Sequence, residues 1–78
     1  MNTLIDTPRS ACLEGPEIVI EMSSGETIRF PIESSVRLKS ATLEELSEIE
    51  LSPFGLHWPR LDEDLSIRGI LAMQLRKD

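Results

Sequence analysis

Two stretches of alternating apolar and polar residues, joined by a short glycine-containing segment, constrain the fold of this chain more than any other feature. Residues 17–22 and 26–31 place apolar side chains at every second position, which is the periodicity of a β-strand with one buried face. A two-residue loop between them would mix the two faces, whereas a three-residue loop sets Ile20 opposite Ile28 and keeps the apolar residues together. The pattern therefore predicts an antiparallel hairpin with Gly25 in the left-handed position of the loop.

A second hairpin is predicted from residues 47–51 and 55–58. The joining segment, residues 52–55, has Ser, Pro and Gly at the positions that a type I turn favours. This register sets Glu50 opposite His57 on one face of the hairpin and leaves the apolar residues on the other face.

Two helices complete the predicted fold. Thr42 and Glu45 form the sequence pattern of a capping box, which predicts a short helix near residues 42–46. Ser66 can cap a second helix over about residues 66–75, where apolar residues recur at helical spacing. Together these elements predict an α+β fold in which the two hairpins form a small antiparallel sheet.

The first 15 residues show no sustained periodicity. They contain Thr7-Pro8 and Gly15-Pro16, and both dipeptides favour turns or loops over regular structure. We expect residues 1–15 to form a flexible N-terminal arm, with at most a short edge strand. Residues 16–78 are expected to form a single small α+β domain.

The formal net charge of −6 on 78 residues limits the classes of function. A negative chain is poorly suited to direct binding of nucleic acid or of an anionic membrane, since both require a basic surface. It favours a basic protein partner, although plain solubility gives the same sign. Residues 1–6 lack the basic flank of a secretory leader, no apolar run has membrane-spanning length, and Cys12 is unpaired, so we expect a cytoplasmic protein.

The core of such a short chain is expected to be small. A domain near this size buries only about 60% of the surface that its unfolded chain exposes, and the aromatic residues available to fill the core are Phe30, Phe54 and Trp58. A lone cysteine allows no intrachain disulfide, and no zinc-type set of Cys and His is present. Small domains without these elements often gain stability from a partner subunit, so we expect a homo-oligomer, a hetero-complex, or both.

Residues 55–67 hold the only histidine and the only tryptophan of the chain. His57 is a candidate base, but nucleophilic catalysis also needs a Ser or Cys beside it, and the sequence places none there, so no catalytic residue is expected. The acids at 62–64 lack the alternate spacing and the glycine of a calcium loop, and they suit the positive end of the last helix. We therefore expect no cofactor. The alternative is a weak metal site at His57. Trp58 is expected to lie in the core.

Several segments resemble a known bacterial family. They are residues 25–28, Pro31, residues 38–46 and residues 55–71, and the last includes the block His-Trp-Pro-x-Leu-Asp-x-Asp-Leu-Ser. These segments resemble the family called domain of unknown function 2442, over about residues 17–72. The resemblance implies a small α+β domain with no established enzyme activity. It also implies a small basic protein encoded nearby, because members of the family are often encoded beside such proteins in arrangements like toxin–antitoxin pairs. Some relatives carry an additional helix-turn-helix domain, which this chain is too short to hold.

The function expected from these observations is that of a small acidic protein-interaction module, plausible as an antitoxin that neutralises a basic partner. One alternative is a self-assembling structural domain without a toxin partner, and another is a weak binder of metal or small molecules around His57. The candidate partner-binding residues are His57, Trp58, Arg60, Asp62, Glu63 and Asp64.

Overall fold

Residues 6–75, the part of the chain that the computed structural model describes, form two three-stranded antiparallel sheets and three short helices. The α+β class predicted from the sequence is confirmed, although the two predicted hairpins lie in separate sheets and do not form one. In chain order the elements are β1 (Pro8–Glu14), β2 (Glu17–Met22), β3 (Thr27–Pro31), a 3-10 turn (Ile32–Ser34), α1 (Val36–Lys39), α2 (Leu43–Ser47), β4 (Glu50–Ser52), β5 (Gly55–Trp58), β6 (Glu63–Ser66) and α3 (Ile67–Leu75).

The first sheet has the strand order β1-β2-β3. The register predicted for the hairpin of β2 and β3 is confirmed. Ile20 pairs with Ile28 and Ile18 pairs with Phe30, so the apolar residues of both strands share one face. Gly25 has a φ of 97°, as the three-residue loop requires. The buried face of this hairpin therefore follows directly from the sequence alternation.

The predicted flexible arm is wrong for residues 8–14, which form β1 and pair with β2. Gly15 has a φ of 58° and lies in a tight turn that sets Glu14 opposite Glu17, so the glycine and proline there close a hairpin. Leu13 is partly buried against the core. The alternation of apolar and polar residues in this segment is too weak to reveal that packing from the sequence. The first five residues, which belong to the predicted arm, lie outside the described part of the chain.

The carboxylate of Asp6 joins the start of β1 to the turn between β2 and β3. Its oxygens accept hydrogen bonds from the Ser24 backbone N–H at 2.8 Å, the Ser24 hydroxyl at 2.7 Å and the Ser23 hydroxyl at 3.0 Å. These donors favour the ionised carboxylate, and the Ser24 hydroxyl has the largest effect, so the pKa of Asp6 lies below its ordinary value of 3.8.

The core lies where the two sheets and the helices meet. The helices contribute Leu38, Leu46 and Ile70, one from each helix in chain order. Of the three aromatic residues expected to fill the core, Phe54 is 71% exposed, because the β4–β5 turn that contains it projects into solvent. The buried cluster consists of Ile18, Ile20, Met22, Phe30, Leu38, Leu46, Leu56, Trp58 and Ile70.

The second sheet has the strand order β4-β5-β6, and the predicted pairing of Glu50 with His57 is confirmed. The sequence analysis missed β6, because the acids at 62–64 were assigned to the start of the last helix. Instead the chain turns at Pro59 and passes through Asp62 with a φ of 53°. Asp is among the few side chains that adopt this conformation readily, and the chain then returns as β6 along β5.

The helix caps predicted from the sequence are present. Thr42 and Glu45 make both hydrogen bonds of a capping box at the start of α2. The Ser66 hydroxyl accepts a hydrogen bond from the Gly69 backbone N–H at 2.9 Å, which caps α3. None of the described helices has the length and apolar character needed to cross a membrane.

The outer edge of β3 is only partly open for further strand pairing. Pro31 has no backbone N–H to donate, and the Gln74 side-chain amide of α3 donates a hydrogen bond to the Arg29 carbonyl. A proline and a bonded carbonyl thus lie along the same edge strand.

At Gly55 the backbone of β6 approaches β5 closely. A Cβ atom built on Gly55 would lie 2.3 Å from the Leu65 carbonyl oxygen and 2.8 Å from the Ser66 Cα. Both neighbours are backbone atoms, so neither can move without displacing β6. Only glycine fits at this position.

We expect Gly55→Ala to lower the free energy of unfolding by at least about 2 kcal/mol, since overpacking of this kind typically costs 1–3 kcal/mol. Chemical denaturation followed by circular dichroism measures the change. Gly15→Asn is the matched control, because nothing lies within 4 Å of a Cβ there and Asn tolerates the left-handed conformation. Equal losses for the two variants would contradict the steric argument.

The Asp6 contacts generate a second prediction, on pH dependence. Because the folded pKa is depressed, the ionised carboxylate stabilises the fold above the ordinary value of 3.8, and this stabilisation is lost as pH falls through the folded pKa. The stability gap between the wild type and Asp6→Ala should therefore shrink as pH is lowered from about 6 to about 3 in thermal unfolding experiments. Ser24→Ala should reproduce most of the change. A gap that does not vary with pH would show that the carboxylate charge is irrelevant.

Candidate functional site

The outer face of the second sheet carries three polar side chains in one row across its strands. Glu50 of β4, His57 of β5 and Asp64 of β6 are directly paired in the strand registers, so their side chains project on the same side. We call these three residues the outer row. An imidazole therefore lies between two carboxylates on a surface that faces away from the core.

Within the outer row, His57 contacts Asp64. Its Nδ1 lies 2.6 Å from an Asp64 carboxylate oxygen, and the two side chains are 33% and 78% exposed. The sequence analysis had instead assigned Glu50 as the partner that compensates the histidine. Glu50 does lie opposite His57, but β6 supplies a nearer carboxylate from the other side.

The surroundings of His57 offer no activated nucleophile. The Ser52 hydroxyl accepts hydrogen bonds from the backbone N–H groups of Phe54 and Gly55, and it stabilises the β4–β5 turn. The Ser66 hydroxyl caps α3. Among the described residues, no Ser or Cys side chain hydrogen-bonds to His57, and the depression beside it holds only about 230 Å³. This geometry does not indicate nucleophilic catalysis.

The acids around His57 do not converge on one point. Residues 6–75 contain no group of three His, Cys, Asp or Glu side chains placed to hold a metal ion. Glu50 and Asp64 flank the imidazole from opposite strands, so they line up along the surface and do not form a cage.

Two of the candidate partner-binding residues point to the interior. Trp58 is fully buried, and its indole N–H donates to the Leu46 carbonyl at 3.1 Å, which confirms its predicted place in the core. The Glu63 side chain is 19% exposed and accepts a hydrogen bond from the buried Ser35 hydroxyl at 2.9 Å. Arg37 lies 3.8 Å from the same carboxylate. The side chains of Trp58 and Glu63 therefore contribute to the fold and present little surface to a partner.

The remaining candidates lie at the loop between β5 and β6. Arg60 lies 3.6 Å from the carboxylate of Glu48, and both side chains are about half-exposed. Asp62 is exposed in its left-handed turn position. The six candidates are therefore divided between the core, this loop and the outer row, and of the six only His57 and Asp64 have side chains that bond to each other.

Sequence analysis missed Phe54 as a surface residue. The turn needs Ser52, Pro53 and Gly55 for its conformation, and the core does not contain the Phe54 ring. The signal was present in the sequence, since a large aromatic residue in the middle of a four-residue turn serves no local purpose.

The exposure of the outer row predicts that it contributes little to stability. His57→Gln and Asp64→Asn should each change the free energy of unfolding by less than about 1 kcal/mol, as is usual for exposed ion pairs. Glu63→Gln should cost about 1–2 kcal/mol, because it weakens a hydrogen bond in a half-buried position. Urea denaturation of the three variants measures the difference. A loss at His57 as large as that at Glu63 would assign the outer row to the fold.

Comparison with known proteins shows where the chain belongs. A crystal structure of a protein of unknown function from Rhodospirillum rubrum is similar, with a TM-score of 0.79, 28% identity and coverage of 86% of both chains. A solution NMR structure of an uncharacterized protein from Chromobacterium violaceum is also similar, with a TM-score of 0.77 and 29% identity over 92% of this chain and 69% of that one. No curated protein matches the sequence. The family model described as protein of unknown function (DUF2442) matches residues 12–74, and the chain belongs to that family.

Proposed function

We propose that this protein is a protein-interaction module that binds a basic protein partner through the outer row. The observation that carries the proposal is the placement of Glu50 and Asp64 on either side of His57, on a face that the fold does not use. Asp64 is 78% exposed, and Glu50 is also exposed. Both carboxylates are therefore accessible to cationic side chains of a partner.

The charge of the outer row suits a basic partner. With a neutral imidazole the row carries two negative charges, and with a protonated one it still carries one. The formal net charge of −6 adds a long-range field of the same sign, which speeds the approach of a basic protein and orients it. The expected interaction is consequently strongest at low ionic strength.

The shape of this face also suits a protein surface better than a small molecule. Ser52, Gly55 and Ser66 lie along the same side of the sheet and have small or absent side chains. They leave a shallow depression of about 230 Å³ beside His57. A partner backbone or an arginine side chain can approach the sheet closely there, whereas a small ligand would stay largely exposed.

The finer proposal is that the partner is a small basic toxin and that this chain is its antitoxin. The support is the resemblance to a family whose members are often encoded beside small basic proteins, together with the acidic outer row. Neutralisation would then consist of covering a basic functional surface of the toxin with the outer face of the second sheet.

The experiment is co-expression of the tagged chain with the product of the adjacent gene, followed by pull-down and a titration at several salt concentrations. Glu50→Gln/Asp64→Asn should weaken binding at least about tenfold and reduce its salt dependence. Glu26→Gln/Glu33→Gln is the matched control, because it removes the same charge from exposed positions elsewhere and should have a small effect.

Two results would count against this proposal. The first is the absence of a complex with the adjacent gene product at low salt. The second is a complex that is indifferent to salt and to Glu50→Gln/Asp64→Asn. Loss of toxicity on co-expression, in turn, would support the antitoxin role specifically.

A further inference from the structure

Phe54 is a large apolar side chain in a position where the fold makes no use of it. It is 71% exposed in the β4–β5 turn, whose hydrogen bonds join the Ser52 hydroxyl to the backbone N–H groups of Phe54 and Gly55 and do not involve the ring. Aromatic residues with this exposure are enriched at the centres of protein interfaces, because burying them removes much apolar surface from water. Residues 6–75 of one copy do not supply a surface that covers it.

Phe54 belongs to a larger apolar surface. Its carbonyl accepts a hydrogen bond from the Ile67 backbone N–H at 2.8 Å, which holds the turn against the start of α3. Leu71 follows Ile67 by one helical turn on the same face of α3 and is also exposed. Pro53, Phe54, Ile67 and Leu71 form what we call the turn patch. Beside it lies a depression of about 530 Å³.

The rim of the turn patch carries one charge of each sign. Asp6 and Arg68 both line the depression. The serine hydroxyls of the β2–β3 turn orient the Asp6 carboxylate, whose oxygens retain the capacity to accept further hydrogen bonds. Arg68 forms no ion pair with any residue between 6 and 75. The local charge is thus balanced, unlike that of the chain as a whole.

We propose that the turn patch binds a second copy of this chain, in a two-fold arrangement that places Arg68 of each copy against Asp6 of the other. A two-fold contact requires a surface complementary to itself, and an apolar centre with one anion and one cation at its rim meets that requirement. The basic partner proposed above gains no net attraction here, because the charges of Asp6 and Arg68 offset each other. The inference goes beyond that proposed function, and of the turn patch only Phe54 also lines the depression beside His57.

A small core gives a physical reason for such a contact. Only two of the three aromatic residues lie in the core, and short domains commonly gain stability from subunit contacts. In the dimer, the rings of both Phe54 residues would leave water together, so each copy would acquire apolar contacts that its own residues 6–75 do not provide.

The test is sedimentation equilibrium of the full chain over a wide concentration range, with light scattering as a second measure of mass. The expected mass is twice the 8.8 kDa of one chain. Phe54→Ser should weaken dimerisation at least about tenfold, since hot-spot truncations reach this size. Arg68→Glu should weaken it through repulsion by Asp6, and Asp6→Arg/Arg68→Glu should restore it. Val36→Ser is the matched control, because Val36 is 83% exposed on α1.

Each outcome bears on the proposal. A monomer at every concentration overturns it, and so does a dimer that Phe54→Ser leaves intact or that Val36→Ser disrupts equally. Circular dichroism on each variant checks that the fold persists, which is expected for Phe54→Ser, Arg68→Glu and Val36→Ser because these side chains are exposed. Asp6→Arg removes the hydrogen bonds to Ser23 and Ser24, so the double variant is compared with Asp6→Ala, which loses the same bonds. Rescue by the double charge reversal would establish that Arg68 and Asp6 of different copies meet.

Discussion

The hydrogen bond from the Trp58 indole to the Leu46 carbonyl is the contact on which the arrangement of the two sheets and α2 depends. A helix of five residues cannot stand alone, and the carbonyls at its end have no partners within the helix. Trp58 satisfies one of them from the neighbouring strand while its ring fills the largest part of the core. The same side chain thus ends a helix, anchors the second sheet and closes the interior.

In β5 and β6, the alternation of side chains between the two faces separates the core residues from the candidate functional residues. In β5 and β6, Trp58, Leu56 and Glu63 face the interior, so His57 and Asp64 must face solvent. The position of the outer row is therefore fixed by the packing of the opposite face, although its own side chains do not pack in the interior. The outer row is therefore expected to contribute little to the stability of the fold.

Local signals predicted much of this structure. The register of both predicted hairpins, the capping box at Thr42 and the extent of α3 all follow from short-range patterns and are present. Each of these depends on residues that are close together in the chain, where periodicity and turn chemistry are informative.

What sequence analysis missed depends on longer-range contacts. β1 has weak alternation and becomes a strand because β2 offers it a pairing edge. β6 was hidden by acids that suit a helix start equally well, and it becomes a strand because β5 offers it a pairing edge. The contact between His57 and Asp64 could not be predicted without β6. Phe54 was assigned to the core by residue type, which is a tendency and not a geometric requirement.

The edge of β3 affects how this protein can assemble with other molecules. With no N–H at Pro31 and a carbonyl at Arg29 already bonded to Gln74, a strand from another molecule would find neither the donor nor the free acceptor that a continuous ladder requires there. Cross-β stacking and strand exchange are therefore disfavoured on that side. Neighbours at that edge must recognise this protein by side-chain shape and charge, which are more selective than a run of identical backbone groups.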